Sequence, residues 1–384
     1  MKIALIAGET SGDQLGGWLM EALKRQRADL EYVGLGGPNM QAQGLTSIFP
    51  MHDVAFIGIA EILPHARNLM RRIKQTVAFL EAENPDIIIS IDVPGFALRV
   101  LKQLHANGKI RPKLVHYVAP TVWAYRPKRA NIVAERYDHI LCLLPFEPPY
   151  FTAVGMDATY IGHEIAWWWK SRGDGLMFRA RHNIAPDAPL LALFPGSRKG
   201  ELQRLLPVFG EAIAMLKSEI PTLEVVAQLP QHLICRVAEQ TRHWPLKLHL
   251  LPSHQEKKDV FAAATAALAK SGTIGLECAL AGLPSVTAYK ANPLSVWLLR
   301  RMITTKFVNL ANVLLGRELI PELLQENCTA EKLVAQLKPL LTLESVRDAQ
   351  RRELNNVAAM LGVNDTQSPS EKAAEVILTL LAKS

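Results

Sequence analysis

Short runs of apolar and β-branched residues alternate with helix-periodic segments along this chain, and the whole alternation occurs twice. Residues 2–7, 31–34, 86–91, 114–118, 139–144 and 159–161 read as strands, with helices predicted over 14–24, 66–80, 97–104 and 128–136. A strand that is apolar on both sides must be covered on both sides. That is the condition of a parallel sheet between two helix layers. The segment EIAWWWKSRGDG breaks the rhythm, because three consecutive tryptophans fit neither a helical nor a strand period, and it reads as the crossing between domains. A second series follows, with strands predicted over 190–194, 224–228, 246–251, 266–269 and 285–288 and a long helix over 201–218. Helical patterns at 331–340, 346–361 and 370–381 close the chain.

At 384 residues the chain exceeds what one compact core usually accommodates. The expected fold class is therefore α/β. Two doubly wound, Rossmann-like domains are expected over 1–165 and 166–345, with C-terminal helices over 346–384 free to pack back on the first domain. An interdomain cleft at the C-terminal edges of both sheets is where ligands are expected.

Composition narrows the partners. No apolar run reaches the roughly 18 residues that span a bilayer, and the start MKIALIAGETSGD passes from a short apolar run into an acidic turn, as a first strand does and a signal peptide does not. The four cysteines (Cys142, Cys235, Cys278, Cys328) make no metal-ligand spacing and suggest reduced, cytoplasmic thiols. The net charge of +7 points to an anionic ligand or an anionic membrane surface. No nucleic-acid signature accompanies it.

Two helix starts carry the strongest chemistry. SGTIGLECALAGLP places Ser271, Gly272 and Thr273 at a turn that opens a helix, with Glu277 one turn further in. Backbone N–H groups there have no intrahelical partner and the macrodipole is positive, so a diphosphate can be held without a metal. Glu277 is suited to accept both hydroxyls of a ribose. The plainer alternative is an N-cap followed by an ordinary first-turn glutamate. PGSRKGE supplies a second start with Gly196, Ser197 and Arg198, where the guanidinium can pair with a departing diphosphate.

The first-domain loops differ. AGETSGD is not a GxGxxG cradle, and its carboxylates Glu9 and Asp13 would repel a phosphate; with Ser11 they suit a hydroxylated, sugar-like ligand, or form a capped turn of solvated acids. Asp92 ends a buried strand just before Pro94 and Gly95, where partial desolvation lifts a carboxylate toward the range of a general base. An Asx-turn is the alternative. HYVAPTVWAYR offers Trp123 and Arg126 for stacking on a sugar and pairing with a phosphate, while His116 reads as a core histidine. No Asp-x-Asp motif presents itself, and neither a metal nor a cofactor is expected. A stripe of Ile62, Ala66, Leu69, Ile73, Val77 and Leu80 flanked by arginines, and the apolar stretch 292–306, are candidates for contact with anionic lipid or are ordinary core faces.

The segments AGETSGD, GGPNMQAQG, FIGIAEIL, IDVPGF, HYVAPTVWAYRPKR, LPFE, YIGH, PGSRKGE, SGTIGLE and NLANVLLGRELIPELLQ, which lie in this order between residue 3 and about residue 325, resemble the lipid A disaccharide synthases, inverting bacterial glycosyltransferases of GT-B architecture. The resemblance implies a UDP-linked 2,3-diacylglucosamine donor and a 2,3-diacylglucosamine 1-phosphate acceptor. Their product would be a β-1,6-linked tetraacyl disaccharide 1-phosphate, with release of UDP. It implies Asp92 as the general base. Gly196, Ser197, Arg198, Ser271, Gly272, Thr273 and Glu277 fall on the UDP side, and Asn312 and Arg317 on a further donor segment. Glu9, Ser11 and Asp13 fall on the acceptor side. It also implies peripheral attachment to the inner face of the inner membrane, with a homodimer as an option. The family commonly carries a second aspartate where Gly95 stands, and the Trp167–169 run has no counterpart in its pattern. Two other readings compete. One is a UDP-N-acetylglucosamine transferase or epimerase on the same architecture; GETSGD in place of a GGTGGH-like loop argues against that transferase. The other is a membrane-surface binder without turnover, against which the intact Asp92, Arg198 and Glu277 count.

Overall fold

The computed structural model describes residues 1–54, 59–253, 255–292 and 303–382, and for 59–65 the backbone alone. The chain forms two compact units, Met1–Glu164 with Asp365–Ser384, and Ile165–Asn364. Of the C-terminal segment 346–384, the helix Glu344–Met360 therefore lies with the second unit and Pro369–Ala382 with the first.

The first unit is built on β1 (Lys2–Ala7), β2 (Glu31–Leu35), β3 (Thr46–Ser47), β4 (Ile87–Ile91), β5 (Lys113–Tyr117), β6 (His139–Cys142) and β7 (Asp157–Tyr160), ordered β3-β2-β1-β4-β5-β6-β7 and parallel throughout. Ala4, Ile6 and Ile88 pack under the helices Ile59–Glu83 and Pro94–Asn107. Ile3, Leu5, Ile87 and Ile89 pack on the other face under Thr10–Gln26 and Pro369–Ala382, through Leu19, Leu23, Ile377 and Leu381. Apolar residues on both faces of each strand are what the two helix layers require.

The second unit repeats the plan with β8 (Leu190–Phe194), β9 (Glu224–Leu229), β10 (His249–Pro252), β11 (Ala266–Lys270), β12 (Ser285–Tyr289) and β13 (Glu322–Leu324), ordered β10-β9-β8-β11-β12-β13 and again parallel. Leu191, Leu193, Val225 and Ala227 share a core with Leu205, Phe209 and Leu216 of the helix Lys199–Glu219 and with Leu333 and Leu337 of Ala330–Thr342. The tryptophan run enters a short helix, Glu164–Trp168; Trp169 is buried against Phe261, while Trp168 is exposed.

In each sheet the order reverses once among the central strands, between β1 and β4 in the first and between β8 and β11 in the second. Helices that leave neighbouring strands in opposite directions open a crevice at the carboxyl ends of those strands, and ligands of open α/β sheets bind there. The loops after β1, β4, β8 and β11 are the ones that carry Glu9, Asp92, Arg198 and Thr273.

Candidate active site

In the first unit the reversal point gathers two acids and a hydroxyl. Gly12 lets the helix Thr10–Gln26 start hard against the end of β4, since a Cβ there would lie 2.8 Å from the Ile91 carbonyl oxygen. This approach sets Ser11 Oγ to donate to Asp92 Oδ2 at 2.8 Å. Burial lifts the Asp92 carboxyl above its ordinary range, with the Ser11 hydrogen bond opposing. Glu9 is lifted too, by burial first and by the charge of Asp92 second. Neither acid has an ion-pair partner among the described residues. The backbone is strained at this spot. Asp92 has φ 48° and Val118, at the end of the adjacent strand, has φ 80°. A β-branched residue in that region is a costly outlier.

In the loop after β5, Trp123 Nε1 donates to Glu147 Oε1 at 3.2 Å, and its ring meets Phe146 edge-on at 5.2 Å. The other oxygen of Glu147 accepts from Leu143 N and Leu144 N at 3.0 and 2.9 Å. Burial pushes the Glu147 carboxyl up to about 7, against these hydrogen bonds. Arg126 is exposed, held at φ 52°, with its guanidinium 4.9 Å from the Tyr125 ring centre.

In the second unit a cavity of about 260 Å³ lies at the other reversal point. Its lining includes Gly196, Ser197, Gly272, Thr273 and Glu277 together with four residues the sequence reading passed over: Glu201, Gln228, Lys257 and Lys270. Glu201 Oε2 accepts from Ser197 N at 3.1 Å and Arg198 N at 3.3 Å, so this carboxylate already fills the start of the helix Lys199–Glu219. Gly196, at φ 113°, leaves room for it; a Cβ there would lie 2.5 Å from that same oxygen. Lys270 Nζ balances Glu201 Oε1 at 3.2 Å. Lys257 Nζ stands 2.5 Å from Glu277 Oε2. Burial raises the Glu277 carboxyl, with Lys257 and the Trp169 indole opposing. Ser271 Oγ and Gln228 Oε1 are buried with no partner among the described residues. A larger hollow of about 530 Å³ lies against Leu206, Gly210 and Trp244, but no opposed lysines and glutamates converge on it.

The structure brings Glu9, Ser11 and Asp92 together in one unit and Gly196, Ser197, Gly272, Thr273 and Glu277 together in the other. It corrects several assignments. Asp13 is buried and accepts from the backbone N–H of Gly37, Asn39 and Met40 and from Asn39 Nδ2; it caps the Pro38–Ala42 turn and is spent there. Asn312 is buried, donating to Ile320 O and Glu322 Oε1 and accepting from Leu319 N and Ile320 N, so its amide shapes its own loop and has nothing left for a ligand. Arg317 is exposed and paired with Glu353 at 2.6 Å. The PGSR start offers no free Ser197 or Arg198 N–H for a phosphate, leaving the exposed Arg198 side chain as its contribution. His116 is a core residue bonded to Ser90 Oγ at 2.7 Å. Leu69, Ile73, Val77 and Leu80 are buried in the core, so that part of the stripe does not face a membrane. Most of 292–306 lies outside the described residues. Glu201 accepts from its N-cap backbone as in half of a capping box, but with Arg198 and not Ser or Thr at the cap the sequence does not signal it, and nothing local marks Lys257 or Lys270.

No helix among the described residues is long and apolar enough to cross a membrane. Residues 3–377 match the family model described as lipid-A-disaccharide synthetase. The lipid-A-disaccharide synthase of Rhodospirillum centenum is 47% identical over 382 residues, covering 99% of this chain and 95% of that protein. That of Paramagnetospirillum magneticum is 41% identical, covering 99% and 98%. Among solved structures, UDP-GlcNAc 2-epimerase from Neisseria meningitidis bound to UDP-GlcNAc superposes with a TM-score of 0.63 at 11% identity, covering all of both chains. MurG of Acinetobacter baumannii superposes at 0.56 with 15% identity, covering 100% of this chain and 99% of that one. At such identities the likeness is one of fold, two parallel-sheet α/β domains of GT-B type.

Proposed function

The chain belongs to the lipid-A-disaccharide synthetase family, and from that premise we propose how its residues carry out the transfer. It is a UDP-sugar glycosyltransferase. The donor is UDP-2,3-diacylglucosamine and the acceptor is 2,3-diacylglucosamine 1-phosphate. Asp92 takes the proton from the acceptor's primary hydroxyl. That oxygen attacks the anomeric carbon of the donor, the bond to the diphosphate breaks, and UDP leaves with the electron pair. Configuration inverts, and the β-1,6-linked disaccharide 1-phosphate forms.

The carrying observation is Asp92 itself. It is a desolvated carboxylate with no cation beside it among the described residues, hydrogen-bonded to Ser11 at the sheet's reversal point. A cation would lower its basicity, whereas burial raises it toward the range where proton abstraction is efficient. In the second unit the Ser271–Thr273 helix start takes the diphosphate, Arg198 adds charge from the exposed side, and Glu277 accepts ribose hydroxyls once it shares Lys257 with the ligand. Trp123 and Arg126 take the acceptor. The acyl chains of both substrates place the reaction at the inner membrane surface, which the chain meets peripherally through its excess of basic residues.

The test is direct. The purified protein should release UDP from the acylated donor but not from UDP-N-acetylglucosamine, and mass spectrometry should show the tetraacyl disaccharide 1-phosphate. UDP release from the unacylated donor at equal rate would return the chain to a general sugar transferase.

A further inference from the structure

We propose that Lys270 is the cation that grips the donor diphosphate, and that it does so by exchanging its present partner, Glu201, for phosphate oxygen. This rests on the reading of the second-unit cavity as the donor pocket.

Lys270 is the last residue of β11, immediately before the Ser271–Thr273 turn. Its ammonium lies 3.2 Å from Glu201 Oε1 and 3.2 Å from where a Cβ on Gly272 would be. It therefore sits over the mouth of the helix Thr273–Ala281, and it lines the cavity. The two helix starts at this site are not equivalent. At Lys199–Glu219 the Ser197 and Arg198 N–H groups are already taken by Glu201, a buried carboxylate that repels a second anion. At the Thr273 start the Gly275 N–H is taken by the Gly272 carbonyl at 3.1 Å; among the described residues the Thr273 and Ile274 N–H groups have no acceptor, and no carboxylate is bonded there. A diphosphate is thus directed to the Thr273 start, where the Lys270 ammonium stands beside Gly272. Two buried atoms, Gln228 Oε1 on the lining and Ser271 Oγ in the turn, have no partner among the described residues, as in a pocket completed by its ligand. Lys270 gives up one carboxylate oxygen for a phosphate oxygen. Glu201 keeps its two backbone donors, so the exchange strands neither charge.

The competing account is that Lys270 only neutralises Glu201. A double-mutant cycle separates the two. UDP and uridine binding are measured by calorimetry on the wild type, Lys270→Met, Glu201→Gln and the double variant. With Lys270 as the diphosphate clamp, Lys270→Met weakens UDP by roughly 10–100-fold, the loss of one charge-assisted contact, and leaves uridine unchanged. The double variant stays as weak as Lys270→Met, and because it carries no stranded charge it also guards against misfolding of the single variant. Recovery of wild-type UDP affinity in the double variant, or an unchanged affinity in Lys270→Met, overturns the proposal. A wild-type protein that binds neither UDP nor uridine removes the donor-pocket reading itself, and this assignment with it.

Discussion

Each unit places carboxylates at the reversal point of its sheet, partly buried in the first and buried in the second, and treats them in opposite ways. In the first, Glu9 and Asp92 have no cationic partner among the described residues, and burial raises both. In the second, Glu201 and Glu277 stand against Lys270 and Lys257 at 3.2 and 2.5 Å. A partly buried acid with no cation beside it has its proton affinity raised. A paired one is a fixed charge that orders a pocket and exchanges partners with a ligand. On the proposed reading the same residue type does chemistry in one unit and binding in the other, and the cation beside it makes the difference.

Glu147 gives the largest effect on which this contrast can be tried. It is a buried acid satisfied by N–H groups, and burial lifts it from 4.5 to about 7. A folded-state value above the unfolded one means that the native state holds the proton more tightly. Its contribution to stability is full below about pH 4.5 and is lost as pH rises through about 7. The change amounts to about 3 kcal/mol. Urea unfolding of wild type and Glu147→Gln across that window should show the slope in the first and its loss in the second. Equal slopes would mean that Glu147 does not titrate there.

Arg198→Ala should weaken UDP by about 1.5–3 kcal/mol by removing a charge-assisted contact, with uridine affinity kept; calorimetry reads both. An unchanged UDP affinity would mean that the Arg198 side chain does not reach the diphosphate.

A smaller effect is expected at Ser11. The rate should fall on the acid side as Asp92 is protonated, at a pH above that of an ordinary aspartate. Ser11→Ala deletes the hydrogen bond that favours the carboxylate, so the acid limb of kcat/KM should move to higher pH. A limb that stays in place would assign it to another group. The smallest expected effect is that of chelator. Fixed N–H groups and cations stabilise the leaving group in this account, so EDTA should leave the rate intact, and rescue by magnesium after a collapse would contradict that.

The parallel sheets were legible because strands buried on both faces read as continuous apolar runs; β1 and β8 fall on their predicted bounds. β3 and β13, with two and three residues, are too short to show a pattern. Asp92 was legible because its neighbours in sequence set its environment, a strand end and a Pro-Gly turn. Asp13 and Asn312 were misread because a cap and a ligand site make the same demand, an acceptor facing N–H groups, and only tertiary structure shows which is met. The pairs Lys270–Glu201 and Lys257–Glu277 join different elements at separations that no helical or strand period links, so the charge balance of the pocket was invisible. The segment EIAWWWKSRGDG reads as the crossing between domains because its periodicity fails, and the division between the units does fall in it, between Glu164 and Ile165. What the failed periodicity hides is that Trp169 is also a core residue on Phe261, beside Glu277.

The central claim is that Asp92, unpaired and desolvated, is the proton acceptor. Asp92→Asn keeps the shape and removes the basicity. Turnover with the acylated donor and acceptor should fall by about 10²–10⁴-fold, while UDP affinity stays near that of the wild type. If Asp92→Asn keeps most of its turnover and Glu9→Gln abolishes it, the base stands in the first loop and the account is wrong.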